Sequence, residues 1–168
     1  SSAQYNGYLY VVGGANGTTA QTGVSYIKIT STGGLASSWV TTTALPTARM
    51  TFGGSFATIW GGYMYVTGGC SALSATNCST VIASDTLKLA SINADGSITD
   101  WTSISGVTTT KVGYGLVGWR NTIYQIGGCT GMTTDNCTNS TTTLETTFYG
   151  RINNDGDVSP VDTENAQP

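Results

Sequence analysis

The chain contains no histidine, and only 9% of its 168 residues are charged. Histidine is the commonest general base and the commonest metal ligand in proteins, so its absence excludes histidine-containing triads and histidine-ligated metal centres built from this chain alone. The six basic residues are scattered, and the net charge is −3. Because nucleic-acid binding needs a basic face that neutralises phosphates, the sequence predicts no nucleic-acid partner.

Long apolar runs are also missing. None approaches the roughly 20 residues that a membrane-spanning helix needs, so no membrane span is predicted. The chain is instead rich in glycine (23 residues) and aromatics (nine tyrosines and four tryptophans). Disordered chains combine high net charge with few aromatics, whereas short strands separated by Gly, Ser and Thr turns have this composition. The sequence therefore predicts an all-β fold with a packed core.

A seven-residue motif occurs three times, as YLYVVGG at residues 8–14, YMYVTGG at 63–69 and TIYQIGG at 122–128. An aromatic residue stands three positions before each copy, and a two-residue pair separates it from the motif. The pairs are Asn6-Gly7, Gly61-Gly62 and Arg120-Asn121. The first two are strong signals for tight hairpins, because such turns need positive φ. The third is a weaker signal in the same register.

The second half of each unit repeats as well. SYIKITSTGGLASSW, KLASINADGSITDW and YGRINNDGDVSPV each place an apolar alternating stretch before a Gly-Gly or Asp-Gly pair and a shorter stretch after it. Alternation on both sides of such a pair predicts a second hairpin. Each unit is therefore predicted to hold four antiparallel strands, with units at about 1–49, 50–111 and 112–168 in a single segment spanning 1–168.

Four-stranded units with a period near 50 residues are typical of β-propellers. The stretches ALPTAR (residues 44–49), NGYLYVVGG and INADGSITDW resemble kelch repeats of bacterial secreted or cell-surface proteins. The resemblance implies a β-propeller with about three kelch-like blades in this chain. Because propellers typically close with about 4–8 blades, we expect either a larger propeller of which this is a part or a ring completed by another copy.

Four cysteines form two pairs with the same spacing, each directly after a double glycine: Cys70 with Cys78, and Cys129 with Cys137. Zinc ribbons use pairs two to four residues apart, and thioredoxin-like redox pairs use C-x2-C at a helix start, so neither a metal nor a redox site is predicted. The spacing favours two local disulfides, and no cofactor is expected. Disulfides persist in oxidising compartments, which predicts an extracellular or cell-surface location.

Strand order places the cysteine loops at the same end of each unit as the connections between units. Arg49 and Lys111 lie in those connections, so this end is the predicted binding face for a protein or glycan ligand. Four N-x-[S/T] sequons in the loops are candidate glycosylation sites: Asn16, Asn77, Asn136 and Asn139. The Asp-Gly turns belong to the opposite end. Their spacing resembles a calcium loop, but the turns lack its glycine and its distal glutamate, so hairpin turns are predicted.

These features predict an extracellular, non-catalytic propeller that acts in adhesion, in protein or glycan binding, or in assembly of subunits through edge strands. The alternative is a segment of a secreted propeller enzyme, either carbohydrate-active or an oxidase, whose catalytic residues lie outside this chain. Glycosidases need two carboxylates at a defined separation, and the acidic residues here stand mostly in turns with no pair marked out.

Overall fold

A computed structural model describes residues 1–50, 54–74, 77–82, 88–104, 112–129, 147–159 and 162–164. In these ranges every extended regular element is a strand and none is a helix, as expected for an all-β chain. The strands are β1 (Ser2–Tyr5), β2 (Tyr8–Val12), β3 (Ala15–Asn16), β4 (Thr19–Ala20), β5 (Val24–Lys28), β6 (Val40–Thr41), β7 (Ala57–Trp60), β8 (Tyr63–Val66), β9 (Cys70–Ser74), β10 (Asn77–Val81), β11 (Lys88–Ser91), β12 (Thr102–Ser103), β13 (Gly115–Trp119), β14 (Thr122–Ile126), β15 (Thr147–Arg151) and β16 (Asp162–Glu164).

Three of the sheets are built alike, each from four antiparallel strands. Sheet 1 has the order β1-β2-β5-β6, sheet 2 the order β7-β8-β11-β12, and sheet 3 the order β13-β14-β15-β16. Each sheet lies within one of the repeat units predicted from the sequence. The third strand of sheets 1 and 2 follows an inserted hairpin, so consecutive strands of a sheet are neighbours in space even where they are separated in sequence.

The first hairpin of each sheet turns at the predicted residue pair. The φ angles are 45° and 77° at Asn6-Gly7, 60° and 85° at Gly61-Gly62, and 46° and 58° at Arg120-Asn121. Positive φ at both central residues is the requirement of the two-residue turn whose twist matches the flanking strands. The tight-turn prediction is therefore confirmed, including the third turn, in which neither residue is glycine.

The core lies between the sheets, which stack face to face. Strand β7 lies alongside both β1 and β13, and the buried cluster draws on all three sheets, with Tyr10, Met64 and Ile123 among its members. At Gly118 an added Cβ atom would lie 3.0 Å from the Cβ atom of Trp60, so the glycine lets β13 approach β7 closely. Burial of this apolar surface holds the stack together.

Two buried tyrosine hydroxyls join neighbouring sheets in the same way. Tyr10 of sheet 1 donates to the carbonyl oxygen of Gly96 in sheet 2 at 2.9 Å, and Tyr65 of sheet 2 donates to that of Gly156 in sheet 3 at 3.0 Å. Both glycines stand in the second hairpin turn of their sheet and have φ near 87°. Because buried hydroxyls need a partner, these bonds fix the register of one sheet on the next.

A fourth sheet, here called the bridging sheet, joins hairpins from two units. Its order is β10-β9-β4-β3, and the two hairpins meet where Thr19 pairs with Ala72. Two of the Ser/Thr-rich loops are thus strands in the structure. The sequence did not predict this pairing, because it depends on which loops the stacked sheets bring side by side.

Candidate functional site

The structure contains the predicted disulfide between Cys70 and Cys78, with a Cα–Cα distance of 5.8 Å. Both cysteines are fully buried, and the bond ties β9 to β10 in the bridging sheet. Cys129 is also disulfide-bonded and buried. Cys137 lies outside the described residues, so its pairing with Cys129 stays a prediction.

Arg49 does not lie on an exposed face, and the prediction that it helps form a binding surface is corrected. Its side chain is fully buried because its backbone pairs with Gln21 on one side while the next residue, Met50, pairs with Cys70 on the other. Its Nη1 donates to the carbonyl oxygen of Gly68 at 2.8 Å, and its Nε and Nη2 have no hydrogen-bond partner among the residues that the structure describes. Burial lowers the pKa of Arg49. Lys111 lies outside the described residues.

The candidate glycosylation sites fall partly on strands. Asn16 is exposed in β3, and Asn77 opens β10 opposite Ser74. Asn136 and Asn139 lie outside the described residues. Among the sequons whose side-chain burial is described, Asn16 is exposed to solvent.

The opposite end of the sheets carries a groove, here called the turn-side groove. Three adjoining cavities of about 500, 160 and 400 Å³ form it, and Asn121 lines all of them. The groove runs between the first-hairpin turns of sheets 2 and 3 and the second hairpin of sheet 3. Its lining residues are Tyr5, Ile59, Trp60, Gly61, Tyr63, Arg120, Asn121, Thr122, Arg151, Ile152, Asn153 and Asn154.

Asn121 is held in place from two directions. Its Oδ1 accepts a hydrogen bond from the indole Nε1 of Trp60 at 3.0 Å, and its backbone oxygen accepts one from the amide of Ile152 at 2.7 Å. No hydrogen bond from the side-chain NH2 group to another described residue is observed, so its two donors are open to a further partner. Trp60 is only partly buried, so the pair presents an indole surface beside an amide.

Arg120 and Trp119 form a second exposed pair at the edge of the groove. The guanidinium carbon lies 4.6 Å from the centroid of the Trp119 ring, and Trp119 is 54% exposed. Arg120 has a φ of 46°, where a residue other than glycine is disfavoured by about 1–2 kcal/mol. Backbone strain of this kind clusters at functional sites. The equivalent residues are Gly61 in sheet 2 and Asn6, with a φ of 45°, in sheet 1, and both residue types tolerate this conformation better than arginine.

Arg120 shares the 400 Å³ cavity with a second cation, Arg151. The described residues that line this cavity include no acidic side chain. Across the described part of the chain, no ion pair is formed by either guanidinium. The two guanidiniums therefore make the described wall of this cavity cationic.

The acidic residues of the second-hairpin turns hold those turns together. Oδ1 of Asp95 accepts hydrogen bonds from the hydroxyl of Ser97 at 2.6 Å and from its amide at 3.0 Å, and these bonds lower the pKa of Asp95. Oδ1 of Asp155 accepts from the amide of Asp157 at 3.1 Å. In the described ranges, no three His, Cys, Asp or Glu side chains group so that they could hold a metal ion.

Sequence patterns alone did not single out the groove. The aromatic residues before each tight turn were visible as markers of a hairpin, but their convergence depends on how the sheets stack. The available signal was the replacement of a glycine-containing pair by Arg120-Asn121 in the third unit. Among the residues with described structure, no helix has the length and hydropathy of a membrane span.

No family model matches the chain, and no curated protein matches its sequence. Solved structures do match its fold. One of them, titled "Structure of YjhT", superposes with a TM-score of 0.63 and 13% sequence identity. The match covers 98% of this chain and 44% of that one, so the chain spans less than half the length of the YjhT structure. At this identity the similarity shows a shared all-β fold.

Proposed function

We propose that the chain is an extracellular, non-catalytic β-propeller segment that binds a glycan in the turn-side groove. The observation that carries the proposal is the Trp60–Asn121 pair, in which a partly buried indole and an amide with free donors line one groove. The sheets would be blades of the kelch type. The face-to-face stacking and the equivalent tyrosine–glycine bonds between sheets support that interpretation.

The chemistry of the groove suits a sugar ring. A pyranose has an apolar C–H face and a rim of hydroxyls that both donate and accept hydrogen bonds. The rings of Trp60 and Tyr63 offer apolar surfaces with a negative face, and the amides of Asn121 and Asn153 offer donors and acceptors. The two larger cavities, about 400 and 500 Å³, are within the range of small-ligand sites, about 300–1,000 Å³.

The paired guanidiniums favour a sugar that carries a carboxylate. Arg120 and Arg151 line one end of the groove, and guanidinium–carboxylate bonds are among the stronger hydrogen bonds in proteins. The Cys70–Cys78 disulfide supports the extracellular part of the proposal, because such bonds persist in oxidising compartments. A neutral glycan would use the Trp60 end of the groove alone.

A glycan array compared across two asparagine variants tests the proposal. Asn121→Gly keeps the left-handed turn but removes the amide, and it should weaken binding about tenfold, the effect of about 1.4 kcal/mol. Asn6→Gly is the matched control, because Asn6 also has positive φ in a first-hairpin turn but lines none of the three cavities. We expect Asn6→Gly to bind like the unchanged chain.

Two results would contradict the proposal. Equal binding by both variants would show that the groove is not the site. If the chain gives no array signal but captures a protein ligand through the same groove, the partner is a protein and not a glycan.

A further inference from the structure

The hydrogen-bonded pair of Trp60 and Asn121 is shared by two cavities of the turn-side groove. The cavity of about 500 Å³, here called the large compartment, is also lined by Tyr5 and Ile59. The cavity of about 160 Å³, here called the small compartment, is also lined by Tyr63. The pair therefore forms a boundary between two compartments, each of which has an aromatic side chain of its own.

The side-chain amide of Asn121 has one orientation at this boundary. The indole Nε1 of Trp60 can only donate, so the amide atom that lies 3.0 Å from it is the oxygen and not the nitrogen. The backbone is held as well, because the carbonyl oxygen of Asn121 accepts from the amide of Ile152 at 2.7 Å. The NH2 group is therefore the part of the amide turned away from Trp60, and it offers donors and no acceptor.

A donor-only group at the boundary matches one feature of a saccharide chain. Sugar hydroxyls donate as well as accept, whereas the glycosidic oxygen between two rings carries no proton and only accepts. That oxygen lies between two rings with apolar C–H faces, and Asn121 lies between two compartments with aromatic walls. The arrangement suits two sugar rings joined at Asn121.

The sizes of the compartments favour a ligand that extends over both. The small compartment is below the volume of about 300 Å³ at which small-ligand sites begin, whereas the large compartment is within their range. The small compartment therefore suits one part of a ligand whose remainder lies in the large one. Asn153 and Asn154, which also line the small compartment, bring donors and acceptors for the hydroxyls of one ring.

We propose that the turn-side groove binds a saccharide of at least two units, with one ring in each compartment. The glycosidic oxygen between these rings accepts a hydrogen bond from the NH2 group of Asn121. The ring in the large compartment packs against Tyr5 and Trp60, and the ring in the small compartment packs against Tyr63. This inference rests on the proposed glycan binding and adds the minimum length of the glycan.

A glycan array printed with each sugar as one, two, three and four units tests the length. The largest gain in signal should come at the step from one unit to two. Calorimetric titration then compares the disaccharide of strongest signal with its two component monosaccharides, and the disaccharide should bind more than tenfold tighter. A monosaccharide that binds as tightly, or a largest gain at a later step, would overturn the inference and leave the proposed function intact. No signal at any length would overturn both.

Two tyrosine variants test whether both compartments are occupied. Tyr5→Leu changes the wall of the large compartment alone, and Tyr63→Leu changes that of the small compartment alone. Each should weaken disaccharide binding about three- to tenfold, the effect of one aromatic contact. Tyr8→Leu is the matched control, because Tyr8 holds the position of Tyr63 in the first copy of the motif, is also partly buried and lines neither compartment. A loss in only one of the first two variants would place the saccharide in one compartment and overturn the inference.

The thio-linked form of the same disaccharide, in which sulfur replaces the glycosidic oxygen, tests where the linkage lies. Sulfur accepts hydrogen bonds weakly, so this form should bind the unchanged chain about three- to tenfold more weakly, the effect of one hydrogen bond. Asn121→Gly has no NH2 group at the boundary, so it should bind the two forms alike. An equal loss in both proteins would overturn the placement of the linkage at Asn121.

Discussion

The two ends of the stacked sheets differ in how their connections are used. At one end, the disulfide side, hairpins from neighbouring units pair in the bridging sheet and Arg49 is buried beneath them. At the other end, the turn side, two-residue turns leave Trp60, Arg120 and Asn121 around an open groove. The two longer loops that the structure describes, β3-β4 and β9-β10, look functional in the sequence but are occupied by structural pairing, and the shortest turns line the candidate site.

The reason lies in backbone hydrogen bonding. A long loop beside another long loop satisfies its amides and carbonyls by forming strands, as β4 and β9 do. A two-residue turn has no strand to offer, so its side chains project into solvent. The comparison predicts that changes on the disulfide side alter stability, whereas changes on the turn side alter binding.

The largest effect is expected for removal of the disulfide. Cys70→Ala with Cys78→Ala should lower the free energy of unfolding by about 2–3 kcal/mol, because the bond closes a short loop in the unfolded chain. Urea denaturation measures the loss. Ser71→Ala in the same hairpin is the control and should stay within about 0.5 kcal/mol. Glycan affinity measured well below the unfolding transition should not change; a parallel loss of affinity would erase the distinction between the two sides.

A smaller loss is expected where the sheets join. Tyr10→Phe leaves the Gly96 carbonyl unsatisfied in a buried junction, which should cost about 1–2 kcal/mol in urea denaturation. Tyr5→Phe is the matched control, since no hydrogen bond of the Tyr5 hydroxyl is described, and it should have no measurable effect. If both variants lost the same stability, the junction bond would not be what joins sheet 1 to sheet 2.

The same tyrosine gives a pH dependence. Burial raises the pKa of Tyr10 to about 12 from an ordinary value of 10.0, so the folded protein retains a proton that the unfolded chain releases. The contribution of Tyr10 to the free energy of unfolding is complete below pH 10 and is lost as the pH rises toward 12. Burial also raises the pKa of Tyr65 and Tyr114. Thermal melts across this pH range should show a melting temperature that falls with pH, and the fall should be less steep in Tyr10→Phe. The same dependence of melting temperature on pH in both proteins would contradict a role of Tyr10 in this effect.

The smallest effect on stability is expected on the turn side. Arg120→Gly relieves about 1–2 kcal/mol of strain, but it loses about 0.5–1 kcal/mol of contact with Trp119 and adds a similar amount of freedom to the unfolded chain. The net change should be within about 0.5 kcal/mol, while affinity for carboxylated glycans falls. Urea denaturation measures the change in stability, and glycan titration measures the change in affinity. A clear loss of stability without a loss of affinity would make Arg120 a structural residue.

The features that the sequence predicted are those set by local patterns. Alternating strands, the paired residues at Asn6-Gly7 and Gly61-Gly62, and the spacing of Cys70 and Cys78 each constrain a few neighbouring residues. Strand content, turn positions and the disulfide could therefore be predicted without knowing the packing.

The features that the sequence did not predict depend on contacts between units. The pairing of Thr19 with Ala72 and the burial of Arg49 both require two units to be side by side. The bond from Trp60 to Asn121 joins residues 61 positions apart, so the groove arises only when sheets 2 and 3 stack. A charged residue in a connection looks exposed in the sequence, and Arg49 shows that stacking can bury it.

Hydrogen–deuterium exchange tests the central claim, that ligands bind on the turn side and not on the disulfide side. The chain would be measured with and without the glycan that gives the strongest array signal. Slower exchange is expected in residues 59–63, 119–122 and 151–154, with no change in 70–74 and 77–81. Protection of the disulfide hairpin, with the three turn-side segments unchanged, would contradict the account.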